Sequence, residues 1–303
     1  MNSSRVIVVG SANQDYLVRT PRSPRPGETT IATSLAKQPG GKGANQAVAA
    51  ARLGADVHFV GAVGRDDDGA RILRSLQTDG VSIDDVSIID SQPTGLALIM
   101  VDDAGENSIT VVSGANSTVT ADRASRAVRR LAQPGAILSL QGELSVAVLE
   151  ASVRAAADTG LRVLINLAPF APIASDVIAL ADPLVLNEGE AAEMTGLPVA
   201  DREGADGALA ALRSRARSVV ITLGPEGAIW ATSDATGHAP AEATGEVVDT
   251  TGAGDAFTGA MASAIARGSS LADAVSLGTR AGSFAIHGLG AQSSYARAAD
   301  LDI

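Results

Sequence analysis

Cysteine is absent from the 303 residues, which excludes a disulfide framework, a thiolate metal site and a thiol nucleophile. Histidine is scarce: His58, His238 and His287 are the three. His58 falls in an apolar run, His238 in an expected loop and His287 after a helical stretch. None stands in a catalytic motif, so a general base has to come from a carboxylate. Aromatic residues are 2 % of the chain, so Val, Ile, Leu and Ala must build the core. That scarcity also disfavours single-stranded nucleic-acid binding, which uses aromatic stacking platforms. Positive charge is in deficit, with a formal net charge of −11, which points away from nucleic acid and anionic membranes as partners. A phosphorylated ligand must therefore be held locally, by backbone amides and a few cations. Long apolar runs are missing too. Val6–Val9 is too short for a membrane span or a signal-peptide core and reads as a buried first strand. Together these features fit a cytoplasmic protein.

What is present is a rhythm. The apolar runs RVIVVG, DVHFVG, GAILSL, LRVLIN, PLVLN and SVVITLG read as strands, and apolar residues make up 46 % of the chain. Helical periodicity fills the gaps at 43–53, 68–76, 121–131, 145–157 and 204–213. Continuous apolar strands alternating with helices imply a mostly parallel sheet covered on both faces, an α/β fold. Residues 255–266 and 271–286 read as two successive, closely packed helices rich in small residues. Two segments break the rhythm, Tyr16–Lys37 and Thr94–Ser113, the second as two strands joined by a turn at Asp103–Glu106. Both read as strands of a small sheet that could cover a cleft as a lid. The alternative is an extension of the main sheet.

Common nucleotide motifs fail. GGKGAN (40–45) has glycine after the lysine instead of Ser or Thr and is no Walker A loop. VVGSANQD and GAGDAF both lack the dinucleotide pattern, which disfavours a nicotinamide dehydrogenase.

Four other strings carry more. In DTTGAGDAF (249–257), Val247–Val248 are expected to end a strand, Thr251–Gly254 to turn, and a helix to follow. Glycines let backbone amides approach a ligand, and a helix N-terminus favours an anion. Asp255 stands beside that anion site; a plain helix cap is the competing reading. In PGGKGANQAVAAARLG (39–54), Gly41 permits close approach to a polyol, and Asn45 offers donors and an acceptor. A glycine loop with a solvated Lys42 is the alternative. GSANQD (10–15) ends the first strand, where α/β ligands bind, so Asn13 and Asp15 are suited to grip two hydroxyls. Residues there also end strands for turn reasons alone. NEGEAAEMTG (187–196) either caps a helix through Asn187 and Glu190 or holds water around Mg²⁺ on phosphate.

Taken together, these strings resemble the ribokinase-like carbohydrate kinase family over essentially the whole chain. GGKGANQAVAAARLGA matches the family's first signature and DTTGAGDAFTGA its second, some two hundred residues apart. TGLALI, GENSI, GAN and GAQSS add further similarity. The resemblance implies one doubly wound α/β domain over 1–303, with a lid sheet from about 13–38 and 94–113 that serves as a homodimer interface. It implies ATP-dependent phosphorylation of the primary hydroxyl of a pentose, D-ribose foremost. Asp255 would be the base, and Gly252, Ala253 and Gly254 the anion hole. Asn13, Asp15, Gly41, Lys42, Asn45 and Glu143 would contact the sugar. Asn187, Thr222, Leu223, Gly224, Gly227, Gly254 and Thr279 would line the ATP site. K⁺ would sit on Asp249, Thr251, Ala285, Gly288, Gly290 and Ser294, and Mg²⁺ would meet Glu190 through water. The chain departs from the family with Glu188–Gly189 after Asn187, Gly142 before Glu143, Leu167 and Ser293, none of which removes a catalytic group. Competing readings are a kinase for deoxyribose, fructose or a nucleoside, and a catalytically silent sugar-binding regulator.

Overall fold

A computed structural model describes residues 5–103, 107–242 and 245–303. In chain order the first half contains β1 (Arg5–Val9), β2 (Asn13–Arg19), β3 (Ser34–Gly40), α1 (Lys42–Arg52), β4 (Asp56–Gly64), α2 (Asp67–Thr78), β5 (Ser82–Ile89), β6 (Gly95–Val101), β7 (Asn107–Val112), α3 (Ala121–Leu131) and β8 (Ile137–Gln141). The second half contains α4 (Val146–Asp158), β9 (Arg162–Asn166), α5 (Ser175–Ile178), β10 (Leu184–Asn187), α6 (Glu188–Thr195), α7 (Arg202–Leu212), β11 (Ser218–Thr222), β12 (Ala228–Thr232), β13 (Thr236–Ala239), α8 (Ala253–Ala266) and α9 (Leu271–Ala285).

Nine strands form one sheet in the order β13-β12-β11-β10-β9-β8-β1-β4-β5. Neighbours from β11 through to β5 are parallel, while β12 and β13 are antiparallel additions at one edge. Side chains alternate along β1: Val6 and Val8 pack against one layer of helices, Ile7 and Val9 against the other. The first layer holds α1, α2, α8 and α9; the second holds α3 to α7. The chain winds outward from β1 to β5, then returns to β8 on the other side of β1. That reversal opens a crevice at the carboxyl ends of β1 and β8.

A second sheet of four strands, β3-β2-β6-β7, stands beside the first. It is fed directly from the crevice, since β2 starts at Asn13 and β3 ends at Gly40. The turn expected at Asp103–Glu106 lies mostly outside the described residues.

Several expectations need correction. Val247 and Val248 are exposed and belong to no strand; they cross the end of α9, where the Val248 N–H donates to the Ile286 carbonyl at 2.8 Å. Two valines suggested a strand, but no sheet neighbour is there to pair them. The helix after them begins at Ala253, so the turn is shorter than Thr251–Gly254. His238 lies in β13, not in a loop. β5 and β13, the two edges of the sheet, lack a continuous apolar run, because edge strands are buried on fewer sides.

Candidate active site

Close packing of α8 on α1 builds the centre. Gly259 faces α1, and a Cβ there would lie 2.6 Å from the Ala49 Cβ and from the Gln46 carbonyl oxygen. Without side chains between them the helices approach, which brings Asp255 in the first turn of α8 against Asn45 and Gln46 of α1. Asp255 is buried. Its Oδ2 accepts from Asn45 Nδ2 and its Oδ1 from Gln46 Nε2, both at 3.0 Å. The Asn45 Oδ1 in turn accepts from Gln292 Nε2 at 3.0 Å. Two side-chain amides thus face the carboxyl oxygens with donors.

Gly252 caps α8 in the left-handed region, φ 79°. A Cβ on residue 252 would lie 2.6 Å from the Tyr295 Oη and 2.7 Å from the Ala291 Cβ. The next two residues, Ala253 and Gly254, form the first helical turn, whose N–H groups have no partner within the helix. Beside them opens a cavity of about 420 Å³. Thr222, Gly224, Gly227, Gly254 and Thr279 line it as expected, joined by Val247, Thr250, Phe257 and Ile286. Asn187 and Leu223 are not in its lining. Leu223 points into the core, and its N–H closes a turn on the Gly227 carbonyl at 2.8 Å. Asn187 and Glu190 form a reciprocal capping box at α6, each bond 2.8 Å. The capping reading of that string is therefore realised. Burial holds the Glu190 carboxyl above its ordinary range, with Lys42 opposing.

On the other side of Asp255 the crevice carries charge. Glu143 Oε2 accepts from the Lys42 N–H at 3.1 Å and from the Ser11 hydroxyl, which seats it at the N-terminus of α1 below Gly41. Asp255 foremost, then Glu143, Glu190 and Asp15, hold the Lys42 ammonium above its ordinary pKa against the cost of burial. Burial, then Glu143 and Asp255, push Asp15 up to about 7, and Lys42 opposes them. Asn13 is buried, and its Oδ1 accepts from Asn116 Nδ2 at 2.7 Å.

Asp249 sits apart from this cluster. Its two oxygens accept from the Thr251 and Gly290 N–H groups, each at 2.9 Å. Burial alone would raise its pKa, but these hydrogen bonds prevail and hold it low. The 285–294 loop is compact: Gly288 N–H donates to the Ala285 carbonyl at 3.2 Å and Ser294 Oγ to the Ala291 carbonyl at 2.8 Å. Of the expected cation ligands, Thr251 and Gly290 meet the Asp249 carboxylate through their N–H groups, while Ala285, Gly288 and Ser294 lie in the adjoining loop. Among the described residues, no group of three or more Asp, Glu, His or Cys is placed to hold a metal. A divalent ion here would depend on phosphate and water, as Mg²⁺ commonly does.

The sequence reading did not single out Gln46, Asn116, Gln141, Asn166, Gln292 or Tyr295. Gln46 adjoins the chosen Asn45, but a glutamine inside a helix gives no signal until its partners are known. Asn116 and Gln292 lay within matched strings without an assigned role.

The pattern of a pfkB family carbohydrate kinase matches residues 3–298. The chain belongs to that family. As a pfkB family member it is a carbohydrate kinase. It is 33 % identical over 288 residues to the ribokinase of Haemophilus influenzae, covering 95 % of this chain and 94 % of the relative. It is 32 % identical over 292 residues to a deoxyribokinase of Salmonella typhi, covering 96 % and 95 %. The solved ribokinase of Arabidopsis thaliana, complexed with ribose and ATP, superposes with a TM-score of 0.90 at 32 % identity, over 99 % of this chain and 98 % of that one.

Proposed function

We propose that this kinase transfers the γ-phosphoryl group of ATP to the primary (5-) hydroxyl of D-ribose, giving ribose 5-phosphate and ADP. The observation that carries this reading is the buried Asp255 carboxylate in the first turn of α8, with Lys42, Asp15 and Glu143 across the crevice. Ribokinase relatives in several organisms support ribose as the acceptor.

Phosphoryl transfer needs positioning and charge stabilisation more than covalent chemistry. Asn13, Asp15, Gly41, Lys42, Asn45 and Glu143 would hold the sugar so that its primary hydroxyl points between Asp255 and the anion hole. Asp255 receives the hydroxyl proton as the O–P bond forms. In a loose transition state that proton leaves late, so a weak base suffices. The N–H groups at Gly252–Gly254 take the charge of the transferring group. Thr222, Gly224, Gly227 and Thr279 flank the apolar slot for the base, to which Asn187 and Leu223 contribute only from outside the lining. Mg²⁺ bound to the phosphates would neutralise their charge, with Glu190 orienting its waters. K⁺ on Asp249 and the carbonyls of Thr251, Ala285, Gly288 and Gly290, closed by Ser294, would fix the shape of the 249–252 turn.

The four-stranded sheet would act as the lid. Large apolar residues are exposed on both of its faces, Leu35 and Leu98 on one, Ile109 and Val111 on the other, and a homodimer through this sheet would cover one of these pairs. A second acceptor, deoxyribose, is favoured by the Salmonella relative. A panel of ribose, deoxyribose, fructose and nucleosides with ATP, Mg²⁺ and K⁺, read by ADP release, tests the assignment. Highest kcat/KM for ribose is expected. Preference for another acceptor would reassign the substrate, and no turnover with any would mark a silent binder.

A further inference from the structure

Gln46 is 1 % exposed, yet every polar atom of its side chain is committed. Nε2 donates to Asp255 Oδ1 at 3.0 Å and to Asn166 Oδ1 at 2.9 Å. Oε1 accepts from Gln141 Nε2 at 2.7 Å. The partners come from three elements: the end of β8, the end of β9 and the first turn of α8. Asn166 cannot reverse its amide freely, because its Nδ2 donates to the Val185 carbonyl at 3.3 Å. Gln141 is also buried, and its donor end points at Gln46. A Gln46 amide turned end for end would set its oxygen against the Asp255 carboxylate and against Asn166 Oδ1. Those two mismatches forbid that orientation; Gln141 adds none of its own, because its buried Oε1 has no hydrogen-bond partner and its amide is free to turn with Gln46.

We propose that Gln46 is a positioning residue for the reaction. It holds Asp255 in one rotamer, with the remaining lone pairs turned toward the acceptor hydroxyl; Asn166, anchored on the Val185 carbonyl, fixes which end of the Gln46 amide faces the carboxylate, and Gln141 supports the far end by donating to Oε1. Both residues act through Asp255, so the inference rests on Asp255 being the base. The titratable groups facing this centre are Asp255 itself, Lys42, Asp15, Glu143, Glu190 and the buried Tyr295 hydroxyl.

The test uses the full chain with ribose, ATP, Mg²⁺ and K⁺, recording kcat, both KM values, the pH profile of kcat and the melting temperature. Gln46→Met removes the donor at similar volume. It should lower kcat about 10- to 100-fold with both KM values within about threefold. Gln46→Glu sets a second carboxyl against Asp255, where the pair cannot both ionise readily. Its acid limb of kcat should move up by about one pH unit or more, with partial recovery of rate at high pH. Gln141→Met touches no atom of Asp255 and should shift the same limb in the same direction by less. A loss uniform across pH and tracking the melting temperature would overturn the proposal, as would an unmoved acid limb in both Gln46→Glu and Gln141→Met. Asp255→Asn is run alongside: if it retains turnover, the base assignment has failed; if it is inactive while the Gln46 variants behave as wild type, only the positioning role has failed.

Discussion

Asn45 and Asp255 are 210 positions apart in the chain, yet the Asn45 Nδ2 donates to the Asp255 carboxylate at 3.0 Å. That bond, and its twin from Gln46, define what a substitution at 255 does. In Asp255→Asn one end of the new amide is a donor facing a donor, a mismatch of about 1–3 kcal/mol. The variant should fold with a lowered melting temperature and still bind ribose. Turnover should fall by about 10²–10⁴, the range for a lost general base. Steady-state kinetics and a thermal melt check both halves; wild-type kcat would remove Asp255 from its role.

The two glycines of the proposed anion hole should respond differently to the same change. At Gly252 an alanine meets a left-handed φ of 79° and the Tyr295 hydroxyl. Gly252→Ala should lower both the melting temperature and kcat, the latter by about 10²–10³ if one donor is displaced. At Gly254 nothing lies within 4 Å of where a Cβ would stand, and the backbone is already helical. Gly254→Ala should keep or raise the melting temperature and affect rate only by crowding the phosphoryl group. Equal destabilisation of the two variants would contradict the geometry.

Asp249 joins the 249–251 turn to the 288–294 loop through two backbone N–H groups. Asp249→Ala leaves both donors without this acceptor and removes the carboxylate proposed to face K⁺. With wild type, activity should be higher in K⁺ than in Na⁺ at equal ionic strength. Asp249→Ala should lose that preference and fall about tenfold or more in kcat. Equal wild-type rates in the two salts would rule out a selective monovalent-cation site.

The strongest signals in the sequence were those that local chemistry writes locally. A buried parallel strand shows itself as an apolar run, so β1, β4, β8, β9, β10 and β11 were legible. The signature strings placed Asp255, Gly252 and Asp249 because a glycine turn before a helix is a local event. Edge strands such as β13, four residues reading TGHA, carry no comparable pattern. Nor do Gln46, Gln141 and Gln292. Their meaning lies in contacts across as many as 247 positions, which appear only once α8 has docked on α1. Val247–Val248 erred in the opposite sense: β-branched residues suggest a strand, but pairing needs a neighbour and the sheet ends at β13.

Asp15 makes a prediction with a definite sign. Its folded pKa is raised to about 7 from 3.8, by burial first and by Glu143 and Asp255 after it. Between those two values the folded chain binds a proton that the unfolded chain has released. Stability therefore falls as pH rises through that window, and the cost is fully present above about pH 7. Asp15→Asn removes it, so the unliganded variant should be more stable than wild type at pH 8, by on the order of 2–4 kcal/mol, and not at pH 4. Sugar binding runs the other way. A carboxylate proposed to accept from two hydroxyls works only when ionised. At pH 6 about one Asp15 in ten is ionised and at pH 8 about nine in ten, so the KM for ribose should be about tenfold lower at pH 8. The KM for ATP, proposed to bind in a cavity that Asp15 does not line, should not follow. Ribose KM measured from pH 5.5 to 8.5 in wild type and Asp15→Asn decides the matter. A flat wild-type profile, or an unchanged pH dependence in Asp15→Asn, would show that another group sets the affinity.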